Sequence, residues 1–424
     1  MYRVIVNSLV KIFNEDAYLN KVVSAELEKN NFSELERRLY TKITYGVVEN
    51  KILLDYYLQP FIAGKRVKPF IKNVLRVGAY VINNMDMANY YIVSALVDLV
   101  KKDDLRSSKF VNGVLRNFER NPRRSLDDLS RKDYLSIRYS MPIEIVEILI
   151  KDYGIEKAET ILKSYLNNPK TNTYRINLLV ASSIEKIKEE ITKIDENIVI
   201  DGDMIYTKKS LINHTLFKNG SIIAQDYSSS LSARYLEPQP GDYVLDACSA
   251  PGMKTIQMAS MMRNEGKIIA LDIYQHKLNL INENAKNYKA TIIETKLGDG
   301  SKITFDEKFD KILVDVPCSG LGVISHKPDL KYHMTKNKIN ELSTISYDIL
   351  NNVSRFLKVN GTIVFSTCTI TKKENEHVIK KFIQSHPNYS VVEEEKIIPQ
   401  EINSWMIQDG FYICKLVRKE EENE

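Results

Sequence analysis

Two cysteines stand where they could act together on one substrate. Cys318 lies in the stretch DVPCSG (residues 315–320), and Cys368 lies in STCT (residues 366–369). Each stretch follows an apolar, strand-like run, and the loops after parallel strands open at the same edge of a sheet. Because a thiolate is a strong nucleophile, either cysteine could attack while the other assists release of the product. The alternative is that both are ordinary buried thiols, since free cysteine is among the most buried residue types.

Another strand-like run leads into a loop that could hold a cofactor. The stretch DACSAPGMKT (residues 246–255) passes from strand to helix through small residues, which let the backbone approach a ligand closely. It lacks the three glycines of a dinucleotide fingerprint, so a pyrophosphate ligand is not expected. Asp272 ends the next strand and could accept both ribose hydroxyls of an adenosine, unless it only caps the following helix. Asp299 could reach an adenine edge, and such contacts without a phosphate cradle favour S-adenosylmethionine over NAD or ATP.

These features together predict methyl transfer to a carbon atom. A nitrogen lone pair attacks a methyl sulfonium without covalent help, but carbon-5 of cytosine has no such lone pair. A thiolate that adds at carbon-6 pushes electron density to carbon-5, which can then attack, and a base must afterwards remove the carbon-5 proton. Asp315 is placed to contact the ring nitrogen or the exocyclic amine of the base. Lys254 or a helix N-terminus could lower the pKa of the attacking thiol. The spacing does not decide which cysteine attacks.

The elements that would position these residues alternate between strand and helix beyond residue 216. Helical stretches at 275–288 and 341–357 separate the strands, and Thr371 with Glu374 forms a predicted capping box that opens a further helix. This alternation predicts a doubly wound, mostly parallel α/β sheet. The predicted strands are Tyr243–Asp246, Lys267–Ile273, Thr291–Thr295, Lys311–Asp315 and Thr362–Ser366.

The residues before 216 divide into an all-helical region and a short mixed region. Ser33 with Glu36 forms a capping box at the start of one helix, and helical periodicity continues to about residue 130. Residues 131–215 predict a helical connector with a small α+β platform, whose candidate strands are 173–179 and 196–206. The expected domains are therefore 1–130, 131–215 and 216–424.

Charge is distributed unevenly along the chain. Residues 1–140 hold 24 Lys and Arg against 16 Asp and Glu, a net charge of +8, whereas the whole chain carries +5. A basic N-terminal third favours a phosphate-bearing partner, although solvated lysine faces would give the same count. The basic residues form three groups: Lys65, Arg66, Lys68 and Lys72; Lys101, Lys102, Arg106 and Lys109; and Arg116, Arg120, Arg123 and Arg124.

Composition excludes several other classes of protein. With 43% apolar and 27% charged residues, the 424-residue chain has the composition of a globular protein of two or three domains. No apolar run approaches the roughly 18 to 20 residues that span a bilayer, and the N-terminus lacks a signal-peptide pattern. The four cysteines are too scattered for a disulfide framework, and no CxxC pair indicates zinc. We therefore expect a cytoplasmic protein without a bound metal.

The motifs resemble those of the 5-methylcytosine RNA methyltransferases of the Sun/RsmB and NSUN type. DACSAPGMKT is similar to the cofactor loop of that family, VDVPCSGLGV to its Pro-Cys loop and FSTCT to its Thr-Cys loop. The resemblance covers about 200 C-terminal residues and implies a Rossmann-like class I methyltransferase domain. Met253 departs from the family, which usually has a second glycine there. The displaced histidine at 326 departs as well and is assigned no role.

The resemblance also implies a role for each site residue. Cys368 would be the nucleophile, Cys318 would assist product release, and Asp315 would complete the catalytic set. The cofactor, S-adenosyl-L-methionine, would be held by Cys248, Ser249, Ala250, Pro251, Gly252, Met253, Lys254, Asp272, Asp299 and Asp315.

The N-terminal third is similar to the all-helical, RNA-binding NusB fold. The stretches 38–58, 70–82 and 109–118 carry this likeness, and a NusB-like domain fused to such a catalytic domain is the arrangement of the bacterial 16S ribosomal RNA enzyme. The resemblance thus implies 16S rRNA as partner, before or early in assembly, with no DNA or membrane and with the chain acting as a monomer. The alternatives are the same reaction on tRNA, an amino-group methyltransferase, and a non-catalytic RNA-binding factor.

Overall fold

The computed structural model describes residues 1–166, 171–195, 198–403 and 406–420. The chain forms two compact units. The first consists of residues 1–166 with 324–335, and the second consists of residues 167–323 with 336–424. No helix in the described ranges is long and apolar enough to cross a membrane.

The first unit is all-helical. Ser33 and Glu36 form the predicted capping box, with the Ser33 side chain accepting from the Glu36 N–H and the Glu36 carboxylate accepting from the Ser33 N–H. Apolar faces of the helices meet in a core that includes Leu9, Val47 and Val74, each fully buried. The helices before residue 167 are α1 Tyr2–Asn14, α2 Leu19–Lys29, α3 Glu34–Ile62, α4 Pro69–Asn84, α5 Asn89–Lys101, α6 Leu105–Arg120, α7 Arg131–Arg138, α8 Ile143–Tyr153 and α9 Ile155–Leu166.

A short segment from much later in the chain, residues 324–335, completes this helical unit. The Asp329 carboxylate accepts a hydrogen bond of 2.8 Å from the backbone N–H of Leu19, the first residue of α2, whose own N-cap residue provides no side-chain cap. The Lys331 ammonium and the Tyr332 hydroxyl each donate a bond of 2.8 Å to a backbone carbonyl of α3. The segment therefore supplies a helix cap and two buried anchors to the unit.

The second unit contains the remaining helices and all of the described strands. The helices are α10 Ile184–Thr192, α11 Thr215–Lys218, α12 Tyr227–Leu236, α13 Met253–Met261, α14 Gln275–Asn287, α16 Lys336–Ser354 and α17 Glu376–Ser385, while α15 Leu330–His333 lies in the segment that belongs to the first unit. The strands are β1 Asn172–Ile176, β2 Val199–Asp201, β3 Met204–Thr207, β4 Ile222–Ala224, β5 Tyr243–Asp246, β6 Lys267–Asp272, β7 Ile293–Leu297, β8 Phe309–Asp315, β9 Leu357–Thr367, β10 Tyr389–Ile397, β11 Gln400–Asn403, β12 Met406–Gln408 and β13 Phe411–Arg418.

Strands β1 to β4 form the small platform predicted from the sequence. Among the described residues they pair antiparallel in the order β2-β3-β1-β4, with α10 and α11 packed beside them. The candidate strand at 173–179 corresponds to β1, and the stretch 196–206 corresponds to the hairpin of β2 and β3. Residues 196 and 197 of that stretch lie outside the described residues.

The large sheet has the order β10-β13-β9-β8-β5-β6-β7. Strands β7, β6, β5, β8 and β9 run parallel, whereas β13 and β10 are antiparallel at one edge. All five strands predicted for this region are present, with ends displaced by up to a few residues. The mostly parallel, doubly wound α/β fold and the all-helical N-terminal region are therefore confirmed.

The prediction that Thr371 and Glu374 open a helix is wrong. Helix α17 begins at Glu376, with Asn375 before it, and residues 372–375 form a turn. The Thr371 hydroxyl does accept from the Glu374 N–H at 3.3 Å, as in a capping box. The Glu374 carboxylate, however, also bonds to a loop far away in the sequence, so the motif serves a tertiary contact instead of a helix start.

Candidate active site

Three loops meet at one edge of the large sheet. They follow β5, β8 and β9, and they carry residues 246–255, 315–320 and 366–369 respectively. Strand β5 has β6 on one side and β8 on the other, so the chain order reverses there. Ligands of doubly wound sheets bind at such a switch point, beyond the carboxyl ends of the strands.

The two predicted cysteines face each other at this edge. The Sγ atoms of Cys318 and Cys368 lie 3.3 Å apart, close enough for an S–H···S hydrogen bond in which either sulfur could donate. The pKa of the Cys318 thiol is raised, first by its hydrogen bond to Cys368, then by burial and by the nearby charges of Cys368 and Glu374. Cys318 therefore holds its proton while a negative charge resides on its neighbour.

A lysine and an aspartate form the opposite wall of this site. Lys254 Nζ donates a bond of 2.6 Å to Asp315 Oδ2, and the Ser366 hydroxyl donates a bond of 2.8 Å to Asp315 Oδ1. Burial alone would lower the pKa of Lys254, but the charge and hydrogen bond of Asp315, followed by the charge of Cys368, raise it overall. Lys254 therefore remains a cation in electrostatic contact with Cys368.

A buried glutamate connects the two cysteine loops, and the sequence pattern did not identify it as part of the site. Glu374 is fully buried, and its carboxylate accepts bonds of 2.7 Å from both the backbone N–H and the hydroxyl of Ser319, the residue after Cys318. It also accepts from Thr369, the residue after Cys368, at 3.2 Å and from Thr371 at 2.7 Å. The Thr-x-x-Glu spacing was visible in the sequence, but the distant partner was not.

The cofactor loop has a second residue that the site prediction omitted. Asp246, the last residue of β5, accepts a bond of 2.7 Å from the Thr255 hydroxyl at Oδ2, while Oδ1 is buried and has no hydrogen-bond partner among the described residues. Burial raises the pKa of this carboxyl to about 7. Gly252 precedes α13 with a φ of +102°, a conformation that favours glycine and turns the chain into the helix.

The other predicted cofactor residues lie along the same edge. Asp272 Oδ1 accepts a bond of 3.0 Å from the Tyr274 N–H, so it does make the helix-start contact that the alternative interpretation required. Its Oδ2 lies 3.4 Å from Lys277 Nζ, which leaves acceptor positions for a ligand. Asp299, beyond the end of β7, accepts from the N–H and hydroxyl of Ser301.

The remaining two cysteines differ from the facing pair. Burial, followed by nearby carboxylates, raises the pKa of Cys248 well above its ordinary value, so this thiol is neutral. Cys414 is fully buried within β13, and burial raises its pKa to about 12. Cys414 is thus an apolar core residue. The described ranges contain no cluster of His, Cys, Asp or Glu that could hold a metal ion.

Comparison with known proteins assigns the chain to a family. Residues 233–417 match the family described as 16S rRNA methyltransferase RsmB/F, and residues 2–120 match the NusB family. The chain is 35% identical to the probable ribosomal RNA small subunit methyltransferase B of Bacillus subtilis, over 97% of each chain. It is 30% identical to the corresponding protein of Synechocystis, over 96% of each. The chain belongs to the RsmB/F family of rRNA methyltransferases.

Solved structures with the same fold extend over the family's catalytic half and beyond. The crystal structure of PH0851 superposes with a TM-score of 0.80 at 22% identity, covering 98% of this chain and 97% of that one. The structure of NSun6 from Pyrococcus horikoshii with SFG has a TM-score of 0.58 at 22% identity, covering 66% of this chain and 99% of that one. These likenesses concern the fold.

Membership of the RsmB/F family makes this chain an S-adenosylmethionine-dependent methyltransferase. The residues present fit that cofactor, because the loop offers a buried acceptor without a partner at Asp246 and a partly used carboxylate at Asp272. An ammonium group and ribose hydroxyls are donors that suit these two acceptors. The predicted methyltransferase activity and cofactor are thereby confirmed.

Proposed function

We propose that this methyltransferase modifies carbon-5 of a specific cytosine in 16S rRNA through a covalent cysteine–cytosine intermediate. The observation that supports this proposal is the pair of sulfurs, 3.3 Å apart, at the sheet edge that also carries the cofactor loop. Transfer to a nitrogen atom or to a hydroxyl would require no such pair. Carbon-5 of cytosine requires both a nucleophile and a second group that handles the proton.

The surroundings of the two thiols support Cys368 as the nucleophile. Lys254, held as a cation by Asp315, interacts with Cys368, and a neighbouring cation favours a thiolate. Cys318 instead lies near the Glu374 carboxylate and has a raised pKa. One proton shared by the pair therefore resides on Cys318, and the negative charge resides on Cys368.

The reaction cycle follows from that charge distribution. The Cys368 thiolate adds to carbon-6, so that an S–C bond forms and electron density moves to carbon-5, which takes the methyl group. Bond formation removes the charge that held the proton on Cys318, so the Cys318 thiol loses its proton to solvent. The Cys318 thiolate then takes the proton from carbon-5, the S–C6 bond breaks, and the Cys368 thiolate is restored. Each cycle releases one proton.

The other site residues have binding and orienting roles in this proposal. Asp315 faces the cytosine and can accept from its ring nitrogen or exocyclic amine, because a carboxylate offers more acceptor positions than its bonds to Lys254 and Ser366 occupy. The loop from Cys248 to Lys254, together with Asp272, Asp299 and Asp315, holds S-adenosylmethionine. That cofactor supplies an electrophilic methyl group when it is bound.

The substrate assignment rests on the NusB-like unit and on the relatives. The relatives are named as small-subunit rRNA methyltransferases, and the basic N-terminal third suits an RNA backbone. The target cytosine must leave its stack to reach the sulfurs, so we propose naked or partly assembled 16S rRNA as the substrate of a cytoplasmic, monomeric enzyme. The same reaction on tRNA and a non-catalytic RNA-binding role are the alternatives.

Two single substitutions test the covalent mechanism. With 16S rRNA and cofactor, Cys318→Ala should accumulate a protein–RNA adduct that survives a denaturing gel, because addition proceeds but the carbon-5 proton is not removed. Cys368→Ala should form no adduct and no product. Cys414→Ala, which changes a core thiol away from the site, is the control and should turn over without accumulating the adduct.

The same assay separates the alternatives. An adduct formed by Cys368→Ala alone would reverse the two roles. Bisulfite sequencing of rRNA and tRNA from cells with and without the gene identifies the substrate: loss of one protected cytosine in 16S rRNA is expected, and loss of a tRNA site would move the substrate. Absence of any adduct and of any lost cytosine would contradict the proposed chemistry.

A further inference from the structure

The buried Glu374 carboxylate contacts both cysteine loops at equivalent positions. Ser319 follows Cys318 and Thr369 follows Cys368, and the side chains of both bond to Glu374 Oε2, at 2.7 Å and 3.2 Å. Their hydroxyl oxygens also lie 2.7 Å from each other. Glu374 Oε1 accepts from the backbone N–H of Ser319 at 2.7 Å, which fixes the main chain beside the sulfur of Cys318.

The cost of burying this carboxylate indicates that the contact is specific. Glu374, Ser319 and Thr369 have no exposed surface, and an ion removed from water destabilises a fold unless it is well hydrogen-bonded. Burial raises the pKa of Glu374, and its hydrogen bonds to Ser319 and Thr371 oppose that rise. A packed apolar residue would fill the same space, but it would not fix two loops relative to each other.

We propose that Glu374 is a positioning residue that sets the distance and relative orientation of the Cys318 and Cys368 sulfurs. The inference deepens the proposed function and rests on it for its catalytic consequence. Without the carboxylate, the backbone N–H of Ser319 and two hydroxyls lose a shared acceptor. The Pro-Cys loop is then free to move away from the Thr-Cys loop, which separates the thiol from the thiolate.

The distance between the sulfurs is measurable without any RNA. Phenylarsine oxide bridges two neighbouring thiols, forming two As–S bonds with release of one water, and it reacts weakly with isolated thiols. We expect the full-length native chain to be bridged across Cys318 and Cys368, as seen by intact mass and by protection of both thiols from alkylation. Cys318→Ala and Cys368→Ala should each abolish bridging, which locates the reaction.

Two substitutions at Glu374 are compared with a matched control two residues away. Glu374→Ala should lower the rate of arsenical bridging by about ten-fold or more, because the two thiols lose their fixed separation. Glu374→Gln keeps the shape but places a donor against donors, so an intermediate loss is expected. Glu376→Gln changes a partly buried carboxylate that pairs with Lys396, and it should bridge at the native rate.

Bridging at the native rate in both Glu374 variants would overturn the proposal, and so would a native chain that is not bridged. If Glu374→Ala fails to fold, Glu374→Gln alone decides. S-adenosylmethionine affinity, which depends on the loops after β5 and β6, serves as the measure of a folded site.

A methylation assay then tests the catalytic consequence. In single turnovers at saturating RNA and cofactor, a displacement of about 1 Å should lower the methylation rate of Glu374→Ala by about 10²-fold while RNA affinity is unchanged. Loss of bridging with an unchanged methylation rate would overturn the positioning role. If native protein is bridged but Cys318→Ala never forms an adduct, the proposed function fails while the geometric part of this inference stands.

Discussion

At the scale of single residues, two thiols separated by 3.3 Å have opposite electrostatic surroundings. A cationic lysine acts on Cys368, and a carboxylate acts on Cys318. A pair of identical side chains is thereby divided into a nucleophile and a proton carrier. Aspartate and lysine residues of separate loops create this difference, so the pair depends on the sheet edge as a whole.

Replacement of the lysine should shift the pH dependence of the reaction. In Lys254→Met, the cation near Cys368 is lost and Asp315 keeps its negative charge, so the thiolate forms only at higher pH. The single-turnover rate at pH 7 should fall by about ten-fold for each unit by which the thiol pKa rises, and it should recover towards alkaline pH. Lys267→Met, which removes a surface ion pair with Glu294, is the control. An unshifted pH profile in Lys254→Met would contradict the role of the cation.

The sequence identified the cysteines and the strand-end aspartates because each directly follows a strand. That local pattern is sufficient when the strands are parallel, since their carboxyl ends share one edge. Glu374 and the free oxygen of Asp246 were missed for different reasons. The bonds of Glu374 to Ser319 cross 55 residues of chain, and the unpaired state of Asp246 Oδ1 among the described residues depends on packing around β5. Neither fact has a signature in residue spacing.

At the scale of elements, the segment 324–335 carries a buried lysine into the helical unit. Lys331 is 2% exposed and donates to the carbonyl of Glu49, and burial lowers its pKa to about 7. The sequence pattern placed these residues in the methyltransferase domain because they lie between its strands. No local pattern indicates that such a segment packs against helices formed by the first residues of the chain.

The buried lysine should make stability depend on alkaline pH. The pKa of Lys331 is about 7 in the folded chain, against 10.5 for an ordinary solvated lysine, so the unfolded chain binds more protons between these values. The free energy of unfolding should therefore rise with pH across this window, by at most about 1.4 kcal/mol per unit from this group. Lys331→Met should remove that part of the slope, as measured by urea unfolding followed by helical circular dichroism.

Comparison at pH 8 to 10 isolates the lysine. The pKa of the neighbouring Glu49 is raised by burial to about 7, so its carboxyl is ionised in both states over that range. Lys327→Met, which changes an exposed lysine of the same segment, should retain the native slope. Equal slopes for Lys331→Met and the native chain would show that the lysine is not the titrating group.

At the scale of the whole molecule, positive charge is concentrated in the helical part and the chemistry lies in the α/β part. The basic group formed by Lys101, Lys102, Arg106 and Lys109 is exposed, whereas Lys254 is buried at the site. Exposed cations bind a phosphate backbone without reading its sequence. Affinity for RNA and the rate of the chemical step should therefore be separable by substitution.

Neutralising that exposed group should weaken RNA binding without changing the chemistry. When all four residues are replaced by Gln, the plot of log affinity against log salt should become shallower by up to about 3, from about 0.7 per lost phosphate contact in a single strand. The methylation rate at saturating RNA should match that of the native chain. A control variant replaces Lys21 and Lys29, exposed lysines outside the three basic groups. An unchanged salt slope in the fourfold variant would place the RNA contacts elsewhere.

The helical unit is discontinuous in sequence, and this limits how it can be exchanged. A fragment that ends at Leu166 lacks Asp329, which caps α2, and Tyr332, whose ring packs edge-on against Phe13 with ring centroids 5.8 Å apart. Such a fragment would expose apolar surface that residues 324–335 normally cover. The unit is therefore not a cassette that recombination can add or remove at a single junction, and its inheritance is linked to an insertion between two strands of the catalytic sheet. A peptide spanning 324–335 is the piece required to make the isolated helices whole.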